Sequence, residues 1–273
     1  MNLRVRGISY HFNVIQSRDE LPYLVMLHGF LGSGNSFNHL IDSLTPFCNP
    51  VLIDLLGHGK TEGAELHYRF SVNEQVADVC KLIQEQLPHP VHLFGYSMGG
   101  RLALNIALQK PEIVHTLILE STTFGIEPEA ERLSRQALDA RRADQIMGNY
   151  AGFLKQWREL PLFNQVQISG DYRDTIHAIQ HQQEPVWMAN QLLGFGTGTM
   201  PAVRHKLNEI KNPVLLLTGE RDRKFVTINQ TMKRELPNSE LVIVKESGHR
   251  IFAEQPGDWI NGIRTFLTNQ SWI

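Results

Sequence analysis

Short, continuous apolar runs punctuate this chain, and each ends in glycine and polar residues. Leu24–Leu27 runs into HGF, Val51–Leu55 into LGHG, and Val91–Phe94 into GYSMGG. Leu117–Leu119 runs into ESTTFG, Val214–Leu217 into TGERD, and Leu241–Val244 into KESGH. Runs of this length without alternation suit strands buried on both faces of a parallel sheet. Their polar carboxyl ends are where open α/β sheets bind ligands. Leu3–Arg6 and Ile8–Val14 alternate instead, which predicts an antiparallel edge. Helical spacing is read between the strands at Phe37–Leu44, Asn73–Gln86 and Arg101–Gln109, and near the end at Trp259–Leu267.

The strand–helix rhythm stops over residues 126–208. Glu127–Met147, carrying Arg132, Arg135, Arg141 and Arg142, reads as a charged helix, and Ala151–Arg158 and Asp174–Gln182 are helical too. The pattern predicts a core in two parts, 1–125 and 209–273, with a helical lid, 126–208, inserted between the fourth and fifth parallel strands. No internal repeat or low-complexity stretch interrupts this plan.

Composition narrows the function classes. Hydrophobic residues make up 42% and charged residues 20%, with a net charge of −2. This is ordinary globular material, with no global reason to bind nucleic acid. No apolar run is long enough to span a bilayer, and the opening MNLRVRGISYHFNV lacks the apolar core of a signal peptide. Two cysteines, Cys48 and Cys80, do not make a disulfide scaffold, so a reduced, cytoplasmic setting is expected, with Cys80 a small core residue on a helix. HExxH, CxxC, Walker A and dinucleotide-binding glycine patterns are absent, so no metal or cofactor is expected.

The strongest chemical signal is Gly95-Tyr96-Ser97-Met98-Gly99, between an apolar run and a helix start. G-x-S-x-G in a strand–turn–helix context places a serine hydroxyl at the open end of the sheet. A nucleophilic serine needs a base, and the base an orienting acid. Of 12 histidines, His249 follows the last strand, and Asp222 follows the strand before it, so the chain order is Ser97, Asp222, His249. Glu220 and Asp171 are weaker candidates for the acid. His28-Gly29-Phe30, after the first parallel strand, supplies the Phe30 N–H, which with the Met98 N–H can converge on a developing oxyanion. His28 and His58 read as structural.

These features match the α/β-hydrolase fold: a mostly parallel central sheet flanked by helices. Within that superfamily the chain resembles the 2-succinyl-6-hydroxy-2,4-cyclohexadiene-1-carboxylate synthase (MenH) family of menaquinone and phylloquinone biosynthesis. The resemblance rests on LHGFLGSGNSF (27–37), DLLGHGKT (54–61), GYSMGGRLAL (95–104), ESTTFGI (120–126) with ERLSR (131–135), GTG (196–198), GERDRKF (219–225) and ESGHRIFAEQP (246–256). It implies a lyase that eliminates pyruvate from a small polyanionic cyclohexene, with Ser97, activated by His249 and Asp222, acting as a base. It further implies carboxylate binding by Arg101 and Arg135, with Arg132 a weaker candidate, and a substrate contact from Trp157. Where the family carries a further arginine, this chain has Gln180, and the family's S-P-G is Thr123-Phe124-Gly125. The neutral Gln180 leaves open how a distal carboxylate is held. A serine esterase or C–C hydrolase fits the same three residues, as does a non-catalytic ligand receptor.

Overall fold

The computed structural model describes residues 1–163, 166 and 168–270. Eight strands form one sheet, in spatial order β1-β2-β4-β3-β5-β6-β7-β8. They are β1 (Asn2–Val5), β2 (Ile8–Val14), β3 (Tyr23–Leu27), β4 (Asn49–Ile53), β5 (Val91–Tyr96), β6 (Val114–Glu120), β7 (Val214–Gly219) and β8 (Ser239–Val244). β1 and β2 pair antiparallel, β2 joins β4 antiparallel, and every pairing from β4 to β8 is parallel. This is the mostly parallel, helix-flanked sheet expected from the sequence.

Helices α1 (Ile41–Leu44), α2 (Val72–Gln86) and α3 (Met98–Gln109) fall between the early strands. Four more, α4 (Glu129–Gly148), α5 (Tyr150–Arg158), α6 (Gly170–His181) and α7 (Pro185–Phe195), lie between β6 and β7. The last three are α8 (Arg223–Glu235), α9 (Ile251–Glu254) and α10 (Pro256–Thr268).

Every residue of β4, β5 and β7 is buried, as expected where helices cover both faces. One cluster, including Leu27, Leu93, Leu102 and Leu119, fills the space on one face; another, including Phe37, Phe94, Phe252 and Trp259, fills the other. Cys48 and Cys80 are buried and free. The inserted helices have a small core of their own around Phe153, Leu154, Met188 and Leu192.

Two expectations need correction, and two helices went unread. Leu241–Val244 has the apolar run of a fully buried strand, yet Val242 and Ile243 are 37% and 40% exposed. β8 is the sheet's last strand, so position overrides composition. Phe37–Leu44 is not one helix: Gly34–Leu40 is a 3-10 turn and only Ile41–Leu44 is α-helical. Helices α7 and α8 are not among the segments read from the sequence. α7 is apolar nearly all round and is signalled only by Pro185 at its first turn. α8 carries Phe225, Ile228 and Met232 at helical spacing, and Ile228 and Met232 pack on the core.

One buried carboxyl ties the sheet to the carboxyl-terminal helices. Glu120, at the end of β6, is fully buried and accepts hydrogen bonds from Trp259 Nε1 at 2.7 Å and the Phe252 amide at 3.3 Å. Burial pushes its pKa up from 4.5 to about 8, against the pull of those donors. Between those values the folded chain holds a proton that the unfolded chain has released. The stabilising contribution of the protonated group is therefore complete below the unfolded pKa and is lost as pH rises through the folded one. Urea unfolding across this window should show stability falling with rising pH in the wild type and a flatter profile in Glu120→Gln. At the acid end the variant should be about 1–3 kcal/mol less stable, since its amide NH2 faces a donor.

Candidate active site

The serine turn is set by close backbone approach. A Cβ on Gly95 would lie 2.5 Å from the Gly99 carbonyl oxygen, and one on Gly99 would lie 2.2 Å from that of Leu27. Only glycine lets β5, α3 and β3 meet this tightly. Between the two glycines Ser97 adopts φ 50°, ψ −105°, a left-handed conformation that side chains rarely take. Its amide donates to the Glu120 carbonyl at 2.9 Å, and its carbonyl accepts from Thr122 Oγ1 at 2.8 Å and the Arg101 amide at 3.1 Å. These bonds hold the strained residue in place.

His249 comes from the loop after β8 and Asp222 from the loop after β7. His249 Nδ1 lies 2.6 Å from Asp222 Oδ2, and its Nε2 lies 3.1 Å from Ser97 Oγ. A neutral imidazole that donates from Nδ1 to the carboxylate can accept the serine proton at Nε2. Asp222 and His249 are each 1% exposed, and the imidazole is ringed by Tyr96, Phe163 and Phe225. The alternative acids stand elsewhere. Glu220 is exposed and takes the Glu246 amide, and Asp171 is exposed in the first turn of α6.

The Gly29–Phe30 loop packs on the same turn, since a Cβ on Gly29 would be 3.6 Å from Ser97 Cβ. No turn or cap carbonyl among the described residues engages the Phe30 or Met98 amide. His28 and His58 brace this loop. His28 Nε2 accepts from the Leu55 amide at 3.0 Å and its Nδ1 donates to the Gly29 carbonyl at 2.8 Å. Burial lowers the two imidazoles to about 4 and about 3, keeping both neutral.

Ser97 lines two adjoining cavities. The smaller, about 370 Å³, is lined by Met98, Arg101, Arg135, Arg142, Phe225 and His249 among others. The larger, about 630 Å³, reaches under α5 and α6. Phe30, Trp157 and Phe163 border both. Trp157 packs edge-on against Phe30 at 5.3 Å between ring centroids, so it forms part of the wall as well as the small helical core.

Arg101 is 8% exposed; one Nη donates to the Phe195 carbonyl at 2.7 Å and its guanidinium lies 4.6 Å from the Phe195 ring centre. Burial, reinforced by nearby Arg135 and opposed by Asp139, pushes its pKa down to about 9. The residue therefore braces α7 while lining the cavity. Arg135 Nε donates to both oxygens of Asp139 at 2.9 Å, and Arg142 reaches the same carboxylate at 3.6 Å. Arg142 is a cavity residue that the sequence reading left unassigned. Its seven-residue spacing from Arg135, two helical turns, was the available signal. Arg132 lines neither cavity; it stands 4.0 Å from Glu129 with 38% of its side chain exposed.

The larger cavity carries cations also missed from sequence: Lys155, Arg158, Arg173 and Arg250. Gln180 is there too, and its Oε1 accepts from Arg158 Nε at 2.7 Å. Arg250 could have been suspected from its place next to His249. Arg158 could not, because only the folded chain shows what α5 faces. Among the described residues no group of three or more histidine, cysteine, aspartate or glutamate side chains is placed to hold a metal ion.

A strained serine, a histidine–aspartate pair and a loop of amides at the carboxyl end of a parallel sheet define a class. Residues 24–263 match the model of the alpha/beta hydrolase family, and the chain belongs to that family. Within it, the chain belongs to the family of 2-succinyl-6-hydroxy-2,4-cyclohexadiene-1-carboxylate synthases. A Bacillus subtilis (strain 168) protein provisionally given that name is 39% identical over 248 residues, 90% of each chain. A Serratia proteamaculans protein named as that synthase is 28% identical over 93% of this chain and 96% of its own length. The solved structure of MenH from S. aureus covers 96% of this chain and 98% of its own at 33% identity, with a TM-score of 0.89. An esterase from Exiguobacterium antarcticum, at 19% identity and a TM-score of 0.83, shares the fold. No helix among the described residues is long and apolar enough to cross a membrane.

Asp139 is 2% exposed and is the carboxylate held between Arg135 and Arg142, close to Arg101. Asp139→Asn would leave three neighbouring guanidiniums without that counter-charge. Removing one partner of such a buried cluster should cost on the order of 2–4 kcal/mol, read as a lowered melting temperature. Added small carboxylates should recover part of the loss by occupying the arginines. An unchanged melting temperature would show that Asp139 does not neutralise the cluster.

Proposed function

We propose that this protein is a 2-succinyl-6-hydroxy-2,4-cyclohexadiene-1-carboxylate synthase, a lyase that eliminates pyruvate from a cyclohexene precursor bearing several carboxylates. The observation that carries the reading is the Ser97–His249–Asp222 array opening directly onto Arg101, Arg135 and Arg142. An esterase for neutral substrates has no use for three guanidiniums beside its serine, whereas a polyanion needs them.

The product's name places the succinyl ketone on a ring carbon of the new diene. Its formation therefore removes a proton from the carbon α to that ketone. In the proposed step Ser97 Oγ takes this proton while passing its own to His249, and Asp222 stabilises the resulting imidazolium. Negative charge moves onto the ketone oxygen, where the Phe30 and Met98 amides donate to it. The electrons then shift through the ring double bond, the carbon–oxygen bond to the enolpyruvyl group breaks, and His249 returns the proton to the departing oxygen. That enol tautomerises to pyruvate. Arg101 and Arg135 hold carboxylates during the step, Trp157 walls the ring, and the inserted helices over 126–208 act as the lid. The reaction needs no cofactor, metal, nucleic acid or membrane, and we place the protein in the cytoplasm.

Ser97→Ala should abolish pyruvate release from the synthetic precursor. His249→Ala and Asp222→Asn should lower the rate by about 10³–10⁴-fold. Near-wild-type turnover by the serine variant would end the mechanism. Mass spectrometry during turnover should show unmodified protein, since an elimination forms no acyl-enzyme; a substrate-derived adduct on Ser97 would favour hydrolase chemistry.

Recognition of charge has its own test. Arg135→Ala should lower kcat/KM for the polyanion by about 2–3 kcal/mol, with lysine restoring it in part. Arg101→Ala should lose at least as much, because it also loosens Phe195. Equal losses on a p-nitrophenyl ester would make both arginines structural and return the assignment to an esterase.

A further inference from the structure

The larger cavity holds a cationic group that the reaction at Ser97 does not use. Arg158 has a neutral partner: its Nε donates to Gln180 Oε1, and its Nη2 is buried with no hydrogen-bond partner among the described residues. Arg250 is in the same condition. Its guanidinium lies 4.7 Å from the centre of the Phe163 ring, and its Nε is buried and unpartnered. Among the described residues neither guanidinium has a carboxylate within ion-pair distance, whereas Arg135 and Arg142 share Asp139. Glu159 is the one acidic side chain among the described residues lining this cavity, and it is exposed. Charged nitrogens buried without partners carry an energetic cost that an anion of the right shape would relieve.

Gln180 is held at both ends. Its carbonyl accepts from Tyr150 Oη at 2.7 Å, and its side-chain oxygen faces the guanidinium. The amide is 6% exposed, so it fixes Arg158 while leaving that arginine's charge unneutralised. Leu31, Ile168, Ile176 and Phe252 supply apolar wall to the same cavity, which Ser97 also lines. Such a channel accommodates an alkyl arm ending in a charge.

We infer that Arg158 and Arg250 clamp the terminal carboxylate of the substrate's succinyl arm, and that Gln180 is the positioning residue for Arg158. The inference rests on the proposed function, to which it adds how the far end of the substrate is held. The site is then two-ended: carboxylates near the reacting carbon meet Arg101 and Arg135 in one cavity, and the arm's carboxylate meets Arg158 and Arg250 in the other. The neutral glutamine at 180 does not remove a cation from the site, because α5 brings one to the same place from another helix.

The test separates this clamp from the reaction. Calorimetric titration uses benzoylpropionate, a ring bearing the same keto acid arm, and its methyl ester, which lacks the charge. Wild-type protein should bind the acid about 10- to 100-fold more tightly than the ester. Arg158→Gln should erase that preference, and Arg158→Lys should keep part of it, which covers the case of the glutamine variant failing to fold. In pyruvate release from the precursor, Arg158→Gln should raise KM by a similar factor, with the loss falling on KM rather than kcat. Gln180→Leu should raise KM less and leave kcat near wild type, a split that a general packing defect would not give. Equal binding of acid and ester by the wild type would overturn the clamp, as would an equal weakening of both by Arg158→Gln. A wild type that prefers the acid but releases no pyruvate would refute the reaction and leave the clamp standing.

Discussion

Everything in this site hangs on one residue held in a conformation it would not choose. Ser97 has φ 50°, which costs on the order of 1–3 kcal/mol, and the surrounding backbone recovers that cost through its bonds to Glu120 and Thr122. The strain has a use. It ends β5 and begins α3 within a single residue, so the hydroxyl stands clear of the sheet at the height where the loops after β7 and β8 deliver Asp222 and His249. The same sharp turn makes Met98, the next residue, the first of α3. Glycines on either side make it sterically feasible, because Gly99 sits against the backbone of β3 and Gly95 against that of α3.

Around that fixed point the electrostatics divide in two. Imidazoles near the Gly29–Phe30 loop, His28 and His58, are buried neutral: His28 braces the loop through hydrogen bonds, and His58 packs on His28 and Phe30. Guanidiniums, in contrast, stay charged at any working pH and collect in the cavities. Arg101, on the core helix, is forced into burial by its position four residues past the serine. It meets that cost through a carbonyl, an aromatic face and the distant help of Asp139. The inserted helices bring Arg135, Arg142, Lys155, Arg158 and Arg173, and the loops and helices after β7 and β8 bring Lys224 and Arg250. The serine, histidine and aspartate thus come from turns at the ends of the sheet strands, and the cavity cations largely from the insertion.

Several features were legible in the chain because they depend on local sequence alone. Apolar runs ending in glycine marked the parallel strands, and the alternation of Ile8–Val14 marked the antiparallel edge. The G-x-S-x-G turn, together with the order of acid and base, singled out Ser97, Asp222 and His249, and the structure brings these three within hydrogen-bonding reach. Such signals survive because a tight turn constrains residue type at each position, whatever the rest of the molecule does.

Other features could be settled only by packing. The run Leu241–Val244 reads as buried from composition, but a strand's exposure depends on whether a neighbour follows it, and none follows β8. Arg132 and Arg135 sit three residues apart on α4, yet only Arg135 lines a cavity, because the helix's rotation against α7 decides which side chain faces inward. Arg158 and Gln180 belong to different helices, 22 residues apart, and nothing in either segment announces that they meet. Sequence by itself therefore determined the sheet, the strained turn and the residues around it, since those follow from backbone sterics and period. Tertiary structure decided which charges share a cavity and which are left without partners, since that depends on distances between elements that no local pattern encodes.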